Sequence, residues 1–296
     1  MLMSPSFWKN TIWFILLGIT IILELIFIFI KVRNKKRVLA IYIIISGIVF
    51  AYEITITAVL HAYQYFPKIL PQKPFDDGII GNYFSQFSVA ATTLLIAVYK
   101  LKYYWYLLFA GAYALIETLF LKLKIYEQYW YRTWMTFAGL LLLFWIGGKL
   151  YRSGSKRIGN TLLYSYVFLG LVTLQTHTMW VFRVSGVFSF GGSLKEKGSS
   201  LDGIISIAYM FVAFSIMIAV YYSKIKWRWK ASVVFGLFAL YYAAFKLHLM
   251  YFKAGWFLPV TALSICFLYF YVFLLDKLYG RSEAGTGADR IFGTRV

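Results

Sequence analysis

Residues 12–30 read IWFILLGITIILELIFIFI and are followed at once by Lys31-Val32-Arg33-Asn34-Lys35-Lys36-Arg37. About 20 residues of helix cross the hydrocarbon of a bilayer, and this run is that long, with Glu24 as its one charge. It is also longer than the apolar stretch of a secretory signal and ends in Lys31 without a small-residue cleavage pattern, which makes it a retained helix. The abrupt change to five cations in seven residues is the signature of a span meeting the cytoplasm.

Runs of the same kind recur at 38–61, 79–99, 103–121, 133–151, 159–182, 203–223, 231–250 and 255–276. They account for a chain of 296 residues that is 61% hydrophobic and only 14% charged, where soluble domains carry about 25% charged residues. The runs are continuous and lack the alternating ten-residue pattern of a membrane barrel, so helices are expected and no soluble domain fits between them. Aromatic residues gather at the borders, as in Lys102-Tyr103-Tyr104-Trp105 and Lys226-Trp227-Arg228-Trp229, the depth at which amphipathic rings settle. The formal charge of +19 comes in short clusters between apolar runs, not along one face, which argues against nucleic acid as a partner. The single cysteine, Cys266, lies inside an apolar run, so neither an intramolecular disulfide nor a cysteine-based metal site is expected.

The connections sort by charge. Those after spans one, three, five and seven carry Lys31 to Arg37, Lys100 and Lys102, Lys149 to Arg157, and Lys224 to Lys230, with no acidic residue among them. Of the alternate connections, three mix cations with Asp76 and Asp77, Glu127, and Glu196 and Asp202, and the last carries Lys246 and Lys253. Cytoplasmic connections are the ones enriched in Lys and Arg, so the expected protein sits in the cell membrane with its amino terminus outside and its carboxyl terminus in the cytoplasm.

The chain also resembles itself. Asp77-Gly78-Ile79-Ile80 recurs as Asp202-Gly203-Ile204-Ile205, Ile96-Ala97-Val98-Tyr99 as Ile218-Ala219-Val220-Tyr221, Lys122-Leu123-Lys124 as Lys246-Leu247-His248, and Lys149-Leu150-Tyr151 as Lys277-Leu278-Tyr279. The matches are collinear at offsets between about 122 and 128, as a duplication requires. The expected architecture is an all-α polytopic bundle of about nine transmembrane helices in a one plus four plus four plan. Residues 1–37 hold the extra helix and a basic cytoplasmic loop, 38–157 the first repeat, 158–279 the second, and 280–296 a flexible tail. Four spans per copy make the repeat parallel, with its axis along the membrane normal.

Residues 62–135 contain Tyr65-Phe66-Pro67, Asp76-Asp77-Gly78, Leu94-Leu95, Ile116-Glu117, Phe120-Leu121-Lys122-Leu123, Trp130 and Trp134. On these residues the chain resembles a family of small integral membrane proteins of spore-forming Firmicutes, about half its length, so that it looks like two such units fused. It departs from that pattern in lacking a proline in the third span and in having Tyr242 where the second copy should repeat Glu117. The resemblance implies fold and membrane location and brings no activity.

A charge at mid-membrane costs roughly 2.5–3.5 kcal/mol on insertion scales, so the polar residues inside the runs carry the functional expectation. They are Glu24, Glu53, Glu117, Gln175, His177, Lys246 and His248. All but Glu24 fall in the outer half on the orientation above. Glu53, Glu117, Gln175, His177, Lys246 and His248 are therefore candidates for a ligand or ion pathway open to the outside, with Glu53 and Glu117 facing His177 and Lys246. Glu24 is a structural or proton-linked candidate. Against this stands the plainer reading that Lys246, His248, Lys122 and Lys124 only reach the interface from span ends. No phosphate loop, zinc-protease or nucleophile-elbow motif is present, so no catalytic residue, metal or cofactor is expected. The leading expectation is binding or transport of a small ligand or ion. The alternative is a non-catalytic sensor or accessory component, whose basic loops meet anionic lipid or a membrane-protein partner.

Overall fold

The computed structural model describes residues 6–153, 159–191, 200–224 and 226–279. The expected tail at 280–296, the loop cations Lys156 and Arg157, and Lys195, Glu196 and Lys197 lie outside them. The described residues form nine α-helices and four three-residue strands. Seven helical segments are long and apolar enough to cross a membrane: Phe7–Lys31, Lys35–Val59, Pro74–Val98, Tyr103–Lys122, Thr133–Arg152, Gly203–Tyr222 and Phe257–Tyr279. The chain is thus a multi-pass helical membrane protein. The other two helices are as long, but Asn160–Val184 carries Gln175, His177, Arg183 and several threonines, and Trp227–Lys246 opens on Arg228 and Lys230, which lowers their apolarity.

The chain divides into two compact units, the first made of residues 6–49 and 60–153 and the second of residues 50–59 and 159–279. In order, the first contains α1 (Ile12–Lys31), most of α2 (Lys35–Glu53), β1 (Tyr63–Tyr65), α3 (Pro74–Val98), α4 (Tyr103–Lys122), β2 (Tyr126–Gln128) and α5 (Thr133–Ser153). Its core gathers Ile28 of α1, Ile41 and Ile45 of α2, Leu94 of α3 and Phe144 of α5, all fully buried. Gly81 lets α3 come close to β1, since a Cβ there would lie 2.5 Å from that of Tyr65. At the amino-terminal end of α1, Asn10 donates to the carbonyl of Phe66 at 2.8 Å and Thr11 to that of Pro67 at 2.9 Å. The helix is therefore tied at that end by hydrogen bonds as well as by apolar packing.

The second unit contains the end of α2 with its π-helical turn Ile54–Val59, then α6 (Asn160–Val184), β3 (Phe188–Phe190), α7 (Ser200–Tyr222), α8 (Trp227–Lys246), β4 (Met250–Phe252) and α9 (Phe257–Tyr279). Phe214, Val260, Val272 and Leu275 are fully buried in its core.

The strands depart from the expectation of helices alone. In the first unit β1 pairs antiparallel with β2, Tyr63 opposite Gln128 and Tyr65 opposite Tyr126. In the second, β3 pairs with β4, Phe188 opposite Phe252 and Phe190 opposite Met250. An isolated ribbon this short is marginal in water. Ring packing supports it: Tyr63, Tyr65, Tyr126 and Tyr131 stand 4.6–5.7 Å apart, and Phe188 lies 4.8 Å from Phe190 and 5.3 Å from Phe252. Beside the first ribbon Tyr129 donates to Gln64 at 3.2 Å. Partial burial, with the Glu127 carboxylate second, raises its pKa, so it keeps the proton it donates.

Three of these strands are launched by the same helix end. After α4, Ile125 bonds back to Phe120 and Lys124 to Leu121, with Lys124 at φ 56°. After α6, Val187 bonds to Phe182 and Gly186 to Arg183, with Gly186 at φ 75°. After α8, Leu249 bonds to Ala244 and His248 to Phe245, with His248 at φ 56°. This is the left-handed cap that satisfies the last carbonyls of a helix and turns the chain aside. The recurring triplets Lys122-Leu123-Lys124 and Lys246-Leu247-His248 are thus helix terminators.

Candidate functional site

The most developed polar arrangement in the first unit joins three helices. Ser88 and Thr92 are four residues apart on α3, hence on one face, and are 2% and 1% exposed. Thr92 donates to Oε1 of Glu24 on α1 at 2.7 Å, lies 2.8 Å from the hydroxyl of Tyr113 on α4, and that hydroxyl lies 2.7 Å from Ser88. Each hydroxyl has one proton to give. Because the proton of Thr92 goes to Glu24, Tyr113 must donate to Thr92 and Ser88 to Tyr113. The result is a directed chain, Ser88 to Tyr113 to Thr92 to Glu24, joining α3, α4 and α1. Oε2 of Glu24 is shielded from solvent and has no hydrogen-bond partner among the described residues. A buried carboxyl oxygen left so costs about 1–3 kcal/mol, and a proton, cation or small donor at that oxygen would recover it.

Glu117 of α4, half-buried in the same unit, has a different setting. Its Oε1 accepts from Gln128 of β2 and, at 3.0 Å, from Thr133 at the start of α5. The carboxylate pins the strand and the next helix to α4. Replacing it with alanine should lower stability in detergent by about 2 kcal/mol, because two donors lose their acceptor. Glutamine should retain most of that through its carbonyl oxygen, and thermal unfolding midpoints of the two variants measure the difference.

The second unit holds a fully buried cluster. Gln175 of α6 donates to Ser264 of α9 at 2.9 Å and to Tyr209 of α7 at 3.4 Å, while the Tyr241 hydroxyl of α8 lies 2.6 Å from that of Tyr209 and 2.7 Å from Ser264. Four helices meet at these side chains, whose polar atoms can be tolerated there only in bonded form. Oε1 of Gln175 is the exception, buried with no partner among the described residues. His177 bonds through Nδ1 to the carbonyl of Thr173, one turn back, and sets its ring edge-on to Phe50 at 4.8 Å. Glu53, 3% exposed, closes α2, and Thr57 bonds to its backbone carbonyl.

Of the residues singled out in the sequence, Glu117 and Glu24 belong to the first unit, and Glu53, Gln175, His177, Lys246 and His248 to the second. Gln175 joins the buried cluster. Lys246 and His248 do not: both are exposed at the end of α8, Lys246 with its ammonium 5.5 Å from the Tyr242 ring and His248 as the left-handed cap residue. Among the described residues no three His, Cys, Asp or Glu side chains are grouped to hold a metal ion.

Ser88, Thr92, Tyr113, Tyr209, Tyr241 and Ser264 are not distinguishable in the sequence, where hydroxyl residues are scattered through every span. The pairing of Ser88 with Thr92 at four-residue spacing is the one signal that was there to read. Neither a family model, nor a curated protein, nor a solved structure matches the chain.

Proposed function

We propose that this protein binds or transports a small ion, a proton in the first instance, through the Glu24 site, within a nine-span bundle built as one helix plus two four-helix halves. The observation that carries the reading is the hydroxyl chain ending on Glu24, with the second carboxyl oxygen buried and unbonded. Intramembrane acids commonly mark ion or proton paths. Serine, threonine and tyrosine hydroxyls can reverse donor and acceptor roles along such a chain.

The duplication is supported by the collinear sequence matches and by the shared order helix, strand, helix, helix, strand, helix in each half, with the strands paired alike. With Lys122 set against Lys246, and Tyr126–Gln128 against Met250–Phe252, the counterpart of Glu117 is the buried Tyr241. The exposed Tyr242 lies one residue off this register. Within each unit, the pairing of β1 with β2 and of β3 with β4 supports a shared side for the connections that carry those strands, and the charge sorting favours the outside for it. The Firmicutes resemblance would make each half one ancestral unit.

The test is dissipation of an imposed pH gradient in vesicles holding the full chain and a trapped pH-indicating dye. Wild-type protein should collapse the gradient faster than empty vesicles, and Glu24→Gln should slow this at least about tenfold, since its amide can still accept from Thr92 but cannot release a proton. Equal rates for wild type and Glu24→Gln overturn the site. Wild-type vesicles no leakier than empty ones overturn the ion-handling reading in favour of an accessory role, which a co-purifying membrane partner in mild detergent would then mark.

A further inference from the structure

An open groove of about 660 Å³ runs between α7 and α8 of the second unit, lined by Val212 and Ile216 on one side and Trp229, Val233, Gly236 and Leu240 on the other. Its volume falls within the range of small-molecule sites, roughly 300–1,000 Å³, and its walls are apolar apart from Ser232 near one end. From Trp229 to Leu240 the groove follows three turns of α8, about 16 Å at the helical rise, close to half of a hydrocarbon core about 30 Å thick. It therefore matches the depth of one leaflet.

The chain that leads into its Trp229 end is basic. Lys224, Lys226 and Arg228, in the connection from α7 and the first turn of α8, are exposed, and Lys230 bonds the carbonyl of Tyr221, tying the start of α8 to the end of α7. Trp229, 66% exposed, stands at the rim where a headgroup would meet the hydrocarbon, the depth tryptophan prefers. The middle of the groove is open over Gly236, where a Cβ would touch nothing within 4 Å.

We infer that the groove is a binding site for a phospholipid with an anionic headgroup, one acyl chain lying along Gly236 and the phosphate reaching Lys226 and Arg228. Charge complementarity selects the headgroup, because each Lys or Arg near an anionic lipid surface adds about 1 kcal/mol. The apolar walls and the one-leaflet length select the chain. This site is separate from Glu24 and does not depend on ion handling.

Native mass spectrometry of the delipidated full chain in detergent, titrated with phosphatidylglycerol and phosphatidylcholine of identical acyl chains, tests it. Wild type should bind phosphatidylglycerol about tenfold or more tightly than phosphatidylcholine, given two engaged cations. The double variant Lys226→Ala, Arg228→Ala should erase that preference. Gly236→Phe should weaken both lipids about tenfold by filling the groove, and Gly236→Ala, which leaves it open, should bind as wild type does. Unaltered binding by Gly236→Phe, equal affinity of wild type for the two lipids, or a second copy of the chain lost on Gly236→Phe would each overturn the assignment.

Discussion

Replacing Asp77 with alanine is expected to destabilise the protein by about 3–5 kcal/mol, on the basis that a hydrogen bond to a charged group contributes about 1.5–3 kcal/mol and several are lost together. Asp77 lies in the first turn of α3, is 3% exposed, and accepts three consecutive backbone N–H groups: Lys68 at 2.9 Å on Oδ2, and Ile69 and Leu70 at 2.7 Å each on Oδ1. Three successive amides converge in this way only if the chain coils tightly, and Lys68 does so at φ 57°, an arrangement that makes an anion-binding concavity. The carboxylate also faces the positive end of the α3 macrodipole. Asp77→Asn should cost about half as much, because its carbonyl oxygen can keep Ile69 and Leu70 while its NH₂ group faces the Lys68 donor. Unfolding midpoints in one detergent should therefore rank wild type, Asn, Ala. An alanine variant as stable as wild type would show that water replaces the carboxylate at no cost.

Gly203→Val is expected to cost about 3 kcal/mol, the upper end of the range for overpacking. A Cβ on Gly203, in the first turns of α7, would collide with the carbonyl oxygen of Ala58 in the π-helical turn, and would lie 2.6 Å from its carbonyl carbon and 2.9 Å from its Cβ. The obstacle is backbone, so no rotamer change can relieve it and the two helical segments must separate. Close approach of helices through small residues is a main source of packing energy in membranes, where apolar side chains gain nothing by leaving lipid. Gly203→Ala already meets the clash and should lie between wild type and valine. Gly111→Ala serves as the control: its Cβ would touch nothing within 4 Å, so alanine should be neutral or stabilising by up to about 1 kcal/mol through helix propensity. Equal midpoints for the Gly203 and Gly111 variants would remove the packing argument.

The helices were legible to within a few residues where a run is bounded on both sides by charge. The run expected at 103–121 is the helix Tyr103–Lys122, and that at 133–151 is Thr133–Ser153. Where apolar residues continue past a backbone turn, the apolar run is longer than the helix. The span expected at 231–250 ends at Lys246, because His248 takes the left-handed conformation and Met250 begins a strand. Tyr63-Gln64-Tyr65 and Phe188-Ser189-Phe190 do alternate as strands should, but three residues cannot outweigh the helical reading of their surroundings. Their partners lie far along the chain, which a local pattern does not disclose.

For the candidate site the division is similar. Glu24 was conspicuous because a carboxyl inside an apolar run has a large desolvation cost wherever the helix packs. Lys246 and His248 stand out in the sequence for the same reason, and tertiary structure sets them apart by leaving both exposed at a helix end. Ser88, Thr92 and Tyr113 do not stand out, since a hydroxyl is cheap enough to occur in any span and gains meaning only beside an acid from another helix.

By itself, then, the sequence determined that this chain lives in a membrane as a set of helices, because apolar run length and flanking charge are local quantities that act through the bilayer as solvent. Which acid is joined to a hydroxyl chain, which is a structural clasp, and where two helices leave a leaflet-deep groove were decided only by tertiary structure. Those properties depend on side chains from three or four helices meeting at hydrogen-bond or van der Waals distance.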